Sequence, residues 1–230
     1  MNKLLILAGG LGTRLKSALP ELPKVLAPIE NKPFIHYIIE HYQKNGIDEF
    51  VFLLGYKSEL IIQYIDKNFP NLPKKYVIEK DQLGTGGAIQ LGLQSIEDEN
   101  VFITNGDTFF DVDINEMKKL HINVDCTIAL KPMSHFERYG SVTVDSNNHI
   151  ECFNEKKYCE SGLINGGVYL INRNKFLHHL LPFKFSFEKD YLENSTLVKN
   201  MMGYISEGYF IDIGIPEDYR KAQNELPTIV

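Results

Sequence analysis

The chain is predicted to be an α/β protein: a doubly wound, mostly parallel sheet carrying a small mixed-sheet extension. Three observations lead there. Short apolar runs alternate with amphipathic stretches through the first half, and strands alternating with helices imply parallel pairing through right-handed crossovers. A glycine-rich turn directly follows the first apolar run. After about residue 123 strand-like runs follow one another, separated by turns such as Asn147-Asn148, which marks an antiparallel or mixed extension.

Lys3–Leu7 reads as a buried strand. Pro33–Asn45 reads as a helix, because Phe34, Ile35, Ile38, Ile39 and Tyr42 recur at helical spacing. Phe50–Leu54 is a strand, and Glu59–Asn68 a helix with Leu60, Ile61, Tyr64 and Ile65 on one face. Tyr76–Ile78 is a short strand, Gly86–Ser95 a helix and Val101–Thr104 another buried strand. Ile114–His121 is expected to be helical, with Asp111-Val-Asp113 in front of it as N-capping residues. Asp125–Leu130, Ser141–Asp145, His149–Phe153 and Gly166–Ile171 are strand-like. Arg173–Leu181 and Glu217–Glu225 complete the set as helices, the second with Pro216 at its first turn.

The 230 residues fit one large domain, without repeats, low-complexity tracts or linkers. A balance of 24 basic against 30 acidic residues, net −6, argues against a nucleic-acid partner, which needs a basic patch. No run is long enough to span a bilayer. Cys126, Cys152 and Cys159 form no metal-ligand spacing, and without a signal peptide they are expected to be reduced thiols filling the core of a cytoplasmic protein. None of the seven histidines sits in a metal spacing or beside a nucleophile.

The chemistry concentrates in Leu7-Ala-Gly-Gly-Leu-Gly-Thr-Arg-Leu15, followed by Pro23-Lys24. Glycines let the backbone turn sharply and present bare N–H groups to an anion. Arg14 and Lys24 add two mobile cations, so the cluster suits a nucleotide polyphosphate. It is not a dinucleotide fingerprint, because Gly10-Leu-Gly12 lacks the third glycine. Nor is it a P-loop, for no Gly-Lys-Ser/Thr closes it. Asn105-Gly106-Asp107 follows the strand Val101–Thr104, so Asp107 would share the crevice at the strand ends. A carboxylate beside a triphosphate is repulsive unless a divalent cation lies between them, which implies Mg²⁺. Asp212, in Phe210-Ile-Asp-Ile-Gly214, stands between apolar residues and needs a cation or strong donors. Asp107 and Asp212 together would hold one octahedral Mg²⁺, with water and phosphate oxygens completing the shell. Glu79, ahead of Leu83-Gly84-Thr85-Gly86-Gly87, only accepts hydrogen bonds and so would prefer the adjacent donors of guanine, with Gly84 giving room for the base.

These segments resemble the sugar nucleotidyltransferase family, whose signature is Gly-Gly-x-Gly-Thr-Arg-Leu followed by Pro-Lys. The resemblance covers nearly the whole chain and implies a Rossmann-like sheet of the GT-A type. Residues 1–230 would then be a single nucleotidyltransferase domain, with a nucleotide half to about residue 123 and a sugar-phosphate half from about 124. It implies nucleotide contacts at Leu7, Ala8, Gly9, Gly10, Gly12, Thr13, Arg14, Glu79, Gly84, Thr85, Asn105 and Gly106, and supports Asp212 as the second metal ligand. Arg14, Lys24 and Asp107 are the catalytic candidates. Gly140, Glu155, Lys156, Asn165 and Gly167 match the family's sugar-phosphate site. The Glu79…Leu83-Gly84-Thr85 pattern is similar to its guanylyltransferases, although some uridylyltransferases carry an acid there too.

The reaction implied is attack of a sugar 1-phosphate oxygen on the α-phosphorus of a nucleoside triphosphate, with pyrophosphate leaving. The acceptor's second pKa is about 6, so it arrives ionised and needs no general base. Catalysis would be positioning and charge neutralisation. The short form of the chain is similar to heptose 1-phosphate guanylyltransferases of surface-polysaccharide synthesis, so GTP and a heptose 1-phosphate are the expected substrates. Mannose 1-phosphate with GTP, or N-acetylmuramate 1-phosphate with UTP, keeps every motif. A glycosyltransferase using Asp111-Val-Asp113, or a non-catalytic sensor, leaves Arg14 and Lys24 less well explained. The oligomeric state is left open, a homodimer included.

Overall fold

The computed structural model describes residues 1–10 and 22–230. In chain order the elements begin β1 (Lys3–Leu7), β2 (Pro28–Ile29), β3 (Lys32–Pro33), α1 (Phe34–Lys44), β4 (Glu49–Leu54), α2 (Ser58–Asn68), β5 (Lys74–Ile78), α3 (Gly84–Gln94) and β6 (Asn100–Asn105). They continue with β7 (Thr108–Phe110), α4 (Ile114–Leu120), β8 (Cys126–Phe136), β9 (Gly140–Val144), β10 (Ile150–Lys156) and β11 (Cys159–Asn172). The last are α5 (Arg173–His178), β12 (Met201–Ile205), β13 (Phe210–Asp212) and α6 (Pro216–Ile229).

One nine-stranded sheet organises the chain. β5, β4, β1 and β6 are parallel neighbours in that order. β11 joins β6 antiparallel, and β8 with β12, and β9 with β10, extend the sheet beyond it. β1, β4 and β6 read clearly in sequence because they are buried on both faces, hence nearly continuous apolar runs. Alternate residues supply the two faces. Leu4, Ile6, Phe50 and Phe52 pack with Phe34, Ile38, Ile61 and Leu226; Leu5, Val51 and Leu53 pack with Ile89, Leu93, Phe176 and Tyr191.

The chain leaves β1 for β4 on one side and returns to β6 on the other. Such a reversal opens a crevice beyond the strands' carboxyl ends. Gly9-Gly10 after β1 and the Gly106-Asp107 turn after β6 therefore share that crevice.

Several extents differ from the sequence reading, among them four that bear on the architecture. β11 begins at Cys159, well before Gly166, because its first part pairs with β8 and β9 while its second part pairs with β8 and β6. A register shift between Asn165 and Tyr169, with Gly167 at φ +74°, breaks the two-residue alternation that would have revealed one long strand. β8 likewise continues to Phe136. α5 stops at His178, three residues before Leu181. α6 runs past Pro227 to Ile229, its last turn anchored by the fully buried Leu226. Of the cysteines only Cys126 is core; Cys152 is exposed and Cys159 half-buried, which corrects the reading of all three as core residues. Among the described residues no helix is long and apolar enough to cross a membrane.

Asp113 caps α4, accepting hydrogen bonds from the Asn115 and Glu116 amides at 2.9 and 3.1 Å, while Asp111 turns instead to His41 at 3.4 Å. The Asp-x-Asp segment is thus divided between two structural tasks. Asp113→Ala is expected to lower stability by about 1 kcal/mol in urea unfolding and to leave divalent-ion affinity unchanged, whereas a metal site at Asp111-Val-Asp113 would lose that affinity.

Candidate active site

The floor of the crevice is backbone. Leu7 pairs with Leu53 on one side and Asn105 on the other, and its carbonyl accepts the Gly106 amide at 2.9 Å. Position 106 must be glycine, because a Cβ there would lie 2.5 Å from the Leu7 oxygen and 2.9 Å from the Val25 side chain. The Ala8 amide donates to the Leu53 carbonyl at 2.9 Å. Gly9 backs onto the Glu79 carboxylate and the Gly55 amide, whereas Gly10 has open space where a side chain would be. Gly12, Thr13 and Arg14 lie outside the described residues.

Lys24 opens a short 3₁₀ turn, Lys24–Leu26, between Pro23 and Ala27. Buried Val25 and Ala27 anchor the turn, so the lysine stem points into the crevice from a fixed base. Its Nζ lies 2.5 Å from Asp107 Oδ2 and 3.8 Å from Asp212 Oδ1. A two-stranded sheet brings the two acids together: β13 pairs antiparallel with β7, setting Asp212 opposite Thr108. The Ile213 amide donates to the Asp107 carbonyl at 3.0 Å, continuing that pairing. Asp212 Oδ1 also accepts the Gly214 amide at 2.6 Å. Burial, and then the Asp107 carboxylate beside it, push the Asp212 carboxyl above its usual range; Lys24, the Gly214 amide and Arg138 act against that rise.

Glu79 stands just beyond the end of β5. Its Oε2 accepts the Leu83 amide at 3.1 Å, and its Oε1 faces Gly9 and Gly55. Gly84 and Thr85, the next two predicted residues, meet the segment Phe185–Glu188. Gly84, at φ +75°, has the Phe185 carbonyl where its side chain would be, at 2.4 Å. The Thr85 hydroxyl donates to Glu188 at 2.9 Å and accepts the Phe187 amide at 2.8 Å. Both therefore dock the segment around the π-helical turn Phe187–Leu192.

On the acceptor side, Asn165 Oδ1 accepts the Gly167 amide and its Nδ2 donates to the Tyr169 hydroxyl, both at 2.9 Å. Gly167 abuts the Asn105 amide group, 2.7 Å from where a Cβ would lie. Asn165 and Gly167 thus reach the crevice through Asn105. Gly140 opens β9 opposite Lys156, and a Cβ there would lie 2.5 Å from the Asn154 carbonyl. Glu155 and Lys156 are exposed on the edge strand β10, and no described contact joins them to the Lys24 cluster.

Arg138 was not singled out in the sequence. Its guanidinium donates to Asp218 at 2.7 Å and to the Tyr139 hydroxyl at 3.1 Å, pinning the β8–β9 turn to the first turn of α6. Tyr139 packs edge-on against Phe210, next to Asp212 in β13, and burial pushes its hydroxyl up to about 12. The signal available was adjacency: Arg138 stands two residues before Gly140, and Asp218 follows Pro216 in the first turn of α6.

Burial raises the Glu79 carboxyl above the ordinary 4.5, and the Leu83 amide offsets that only in part. Between 4.5 and the raised value the folded chain binds more protons than the unfolded one, so this group's contribution to stability falls as pH rises through that window. Glu79→Gln cannot ionise. It is expected to melt at the same temperature as the parent below pH 4 and at a higher one at pH 8. No gain at pH 8 would contradict the burial argument.

The Nucleotidyl transferase family model matches residues 3–228. The chain is 50% identical over 224 residues to the D-glycero-alpha-D-manno-heptose 1-phosphate guanylyltransferase of Aneurinibacillus thermoaerophilus, covering 96% of this chain and 97% of that one. It is 46% identical over 215 residues to the enzyme of the same name from Campylobacter jejuni, covering 94% and 96%. The crystal structure of HddC from Yersinia pseudotuberculosis superposes with a TM-score of 0.89 at 36% identity, covering 98% of this chain and 99% of that chain. A second structure of that protein holds GMP-PN.

Proposed function

Because the chain belongs to the nucleotidyl transferase family, we propose that it transfers GMP from GTP to D-glycero-α-D-manno-heptose 1-phosphate. The products are GDP-heptose and pyrophosphate, in the cytoplasm, for surface-polysaccharide synthesis. The observation that carries this reading is Lys24 held between Asp107 and Asp212 at the reversal point of the sheet, in a chain 46–50% identical to heptose guanylyltransferases along nearly its full length.

Asp107 and Asp212 suit Mg²⁺, because one cation, the Lys24 ammonium, already lies within reach of both. Mg²⁺ keeps several waters and is bound through one or two carboxylates plus substrate phosphates, which agrees with a site of only two acids. Bound there, it would supply charge neutralisation at the α-phosphate. The chain's own groups do the rest. Leu7, Ala8, Gly9 and Gly10 shape the floor for the triphosphate, and the roles assigned to Gly12, Thr13 and Arg14 are to hold the leaving β- and γ-phosphates. Lys24 bridges the α-phosphate and the incoming acceptor phosphate. Glu79 Oε1 accepts from guanine N1–H and the 2-amino group while Oε2 keeps the Leu83 amide. Asn105 and Gly106 wall the nucleotide; Gly84 and Thr85 contribute by fixing the Phe185–Glu188 segment beside it. Gly140, Glu155, Lys156, Asn165 and Gly167 receive the sugar phosphate.

The acceptor oxygen attacks in line, and both reacting groups arrive ionised, so no proton need move. Positioning and fixed charge are the chemistry.

Pyrophosphate release should be measured for each of four nucleoside triphosphates against several sugar 1-phosphates. GTP with the heptose 1-phosphate is expected to give the highest kcat/KM. Activity with UTP and none with GTP would overturn the Glu79 argument. Lys24→Ala and Asp107→Ala are each expected to lower kcat by on the order of 10²-fold or more, as lost transition-state electrostatics usually do. Near-parental pyrophosphate release from either variant would refute its assigned role.

A further inference from the structure

The Lys24 ammonium stands where the preceding reading needs a divalent ion. Asp107 Oδ2 receives it at 2.5 Å, and Asp212 Oδ1 lies 3.8 Å away. The lysine side chain is 13% exposed, so it is enclosed between the acids rather than resting on their surface. The three groups are not equally fixed. Backbone pairing between β7 and β13 and the Ile213 amide set the main chain of both acids, and the Gly214 amide also holds the Asp212 carboxylate. Lys24 sits on a separate 3₁₀ turn at the end of four rotatable bonds. Of the three, Lys24 is the one able to move.

We propose that Lys24 is the resident counter-ion of the Asp107/Asp212 pair, and that a divalent ion and this lysine exchange places on the same carboxylate oxygens. The proposal rests on the functional reading above and extends it to the regulation of that site. Mg²⁺ binds oxygen at about 2.1 Å, so it cannot share the inner face of Asp107 with an ammonium in direct contact. Two cations on one small acid pair also repel each other. Entry of the ion therefore expels the lysine, and an expelled ammonium needs a new anion, which the substrate phosphates supply. Metal and nucleotide then favour each other's binding. Without phosphate the lysine competes with the ion; with phosphate present it has somewhere better to go. The lysine that bridges the reacting phosphates is kept on the acid pair until the site is loaded.

The test reads binding rather than turnover. Mn²⁺ affinity is measured by electron paramagnetic resonance for the full chain and for Lys24→Met, without nucleotide. Lys24→Met is expected to bind Mn²⁺ about 10-fold more tightly, within the usual range of coupling between sites. A non-hydrolysable GTP analogue is expected to tighten Mn²⁺ binding to the parent far more than to the variant. Affinity in Lys24→Met equal to or weaker than the parent's would overturn the proposal. So would Mn²⁺ binding that survives Asp107→Asn, since the ion would then sit elsewhere. A measurement on the unaltered chain guards against a variant that misfolds: with ¹⁵N-labelled lysine, Mg²⁺ is expected to shift one Nζ resonance, absent from the Lys24→Met spectrum. No shift at saturating Mg²⁺ would overturn the exchange. The two readings fail separately. A chain that shows the exchange but releases no pyrophosphate from GTP loses its substrate assignment, whereas one that turns over GTP without the exchange loses only this proposal.

Discussion

The structure depends on holding two like charges side by side. Asp107 comes from the middle of the chain and Asp212 from near its end, and the pairing of β7 with β13 fixes their backbones. Neighbouring carboxylates repel, and the upward push of Asp107 is part of what Asp212 experiences. Lys24 and the Gly214 amide make the arrangement tolerable. Much of the surrounding architecture follows. The 3₁₀ turn must aim Lys24, β6 must end where Asp107 can meet β13, and Gly106 must let the two turns pass at 2.5 Å from a potential Cβ.

Most of this was legible in the sequence, for reasons that differ by residue. β1, β4 and β6 were plain because both faces are buried, and Asp113 because an acid before a helix satisfies its first amides. Lys24, Asp107 and Asp212 were individually recognisable, since each stands in a short motif beside an apolar run. That Asp107 and Asp212 would share one cation was expected; the β7–β13 pairing that brings them together was not, because it joins segments too short and too far apart to announce themselves. The length of β11 was hidden by its bulge. Arg138 was missed because it lies in irregular backbone between β8 and β9, and Glu188 because it stands in a short π-helical turn without an amphipathic repeat.

Thr85, expected to contact the nucleotide, also carries a structural task. Its hydroxyl, together with Gly84 and Gly86, seats the Phe185–Glu188 segment against the start of α3. The glycines remove side chains so that another stretch of protein can approach, with Phe185 filling the space that Cβ atoms at 84 and 86 would take. Glu188 accepts from both Thr85 and Ser186, and its charge is felt at Tyr169, which in turn holds Asn165.

β11 has a mechanical consequence. Its first part belongs to the β8–β9 extension and its second part is bonded to β6, so the same strand is a beam through both halves. A hinge between them would have to tear ladder hydrogen bonds, and any closing movement is therefore left to turns such as the one Arg138 pins to α6. The same beam makes the halves inseparable pieces of one fold. A chain severed near residue 123 would leave β6 with a bare apolar edge, the kind of surface that recruits other strands, so the nucleotide half is not a module that could be inherited or expressed by itself.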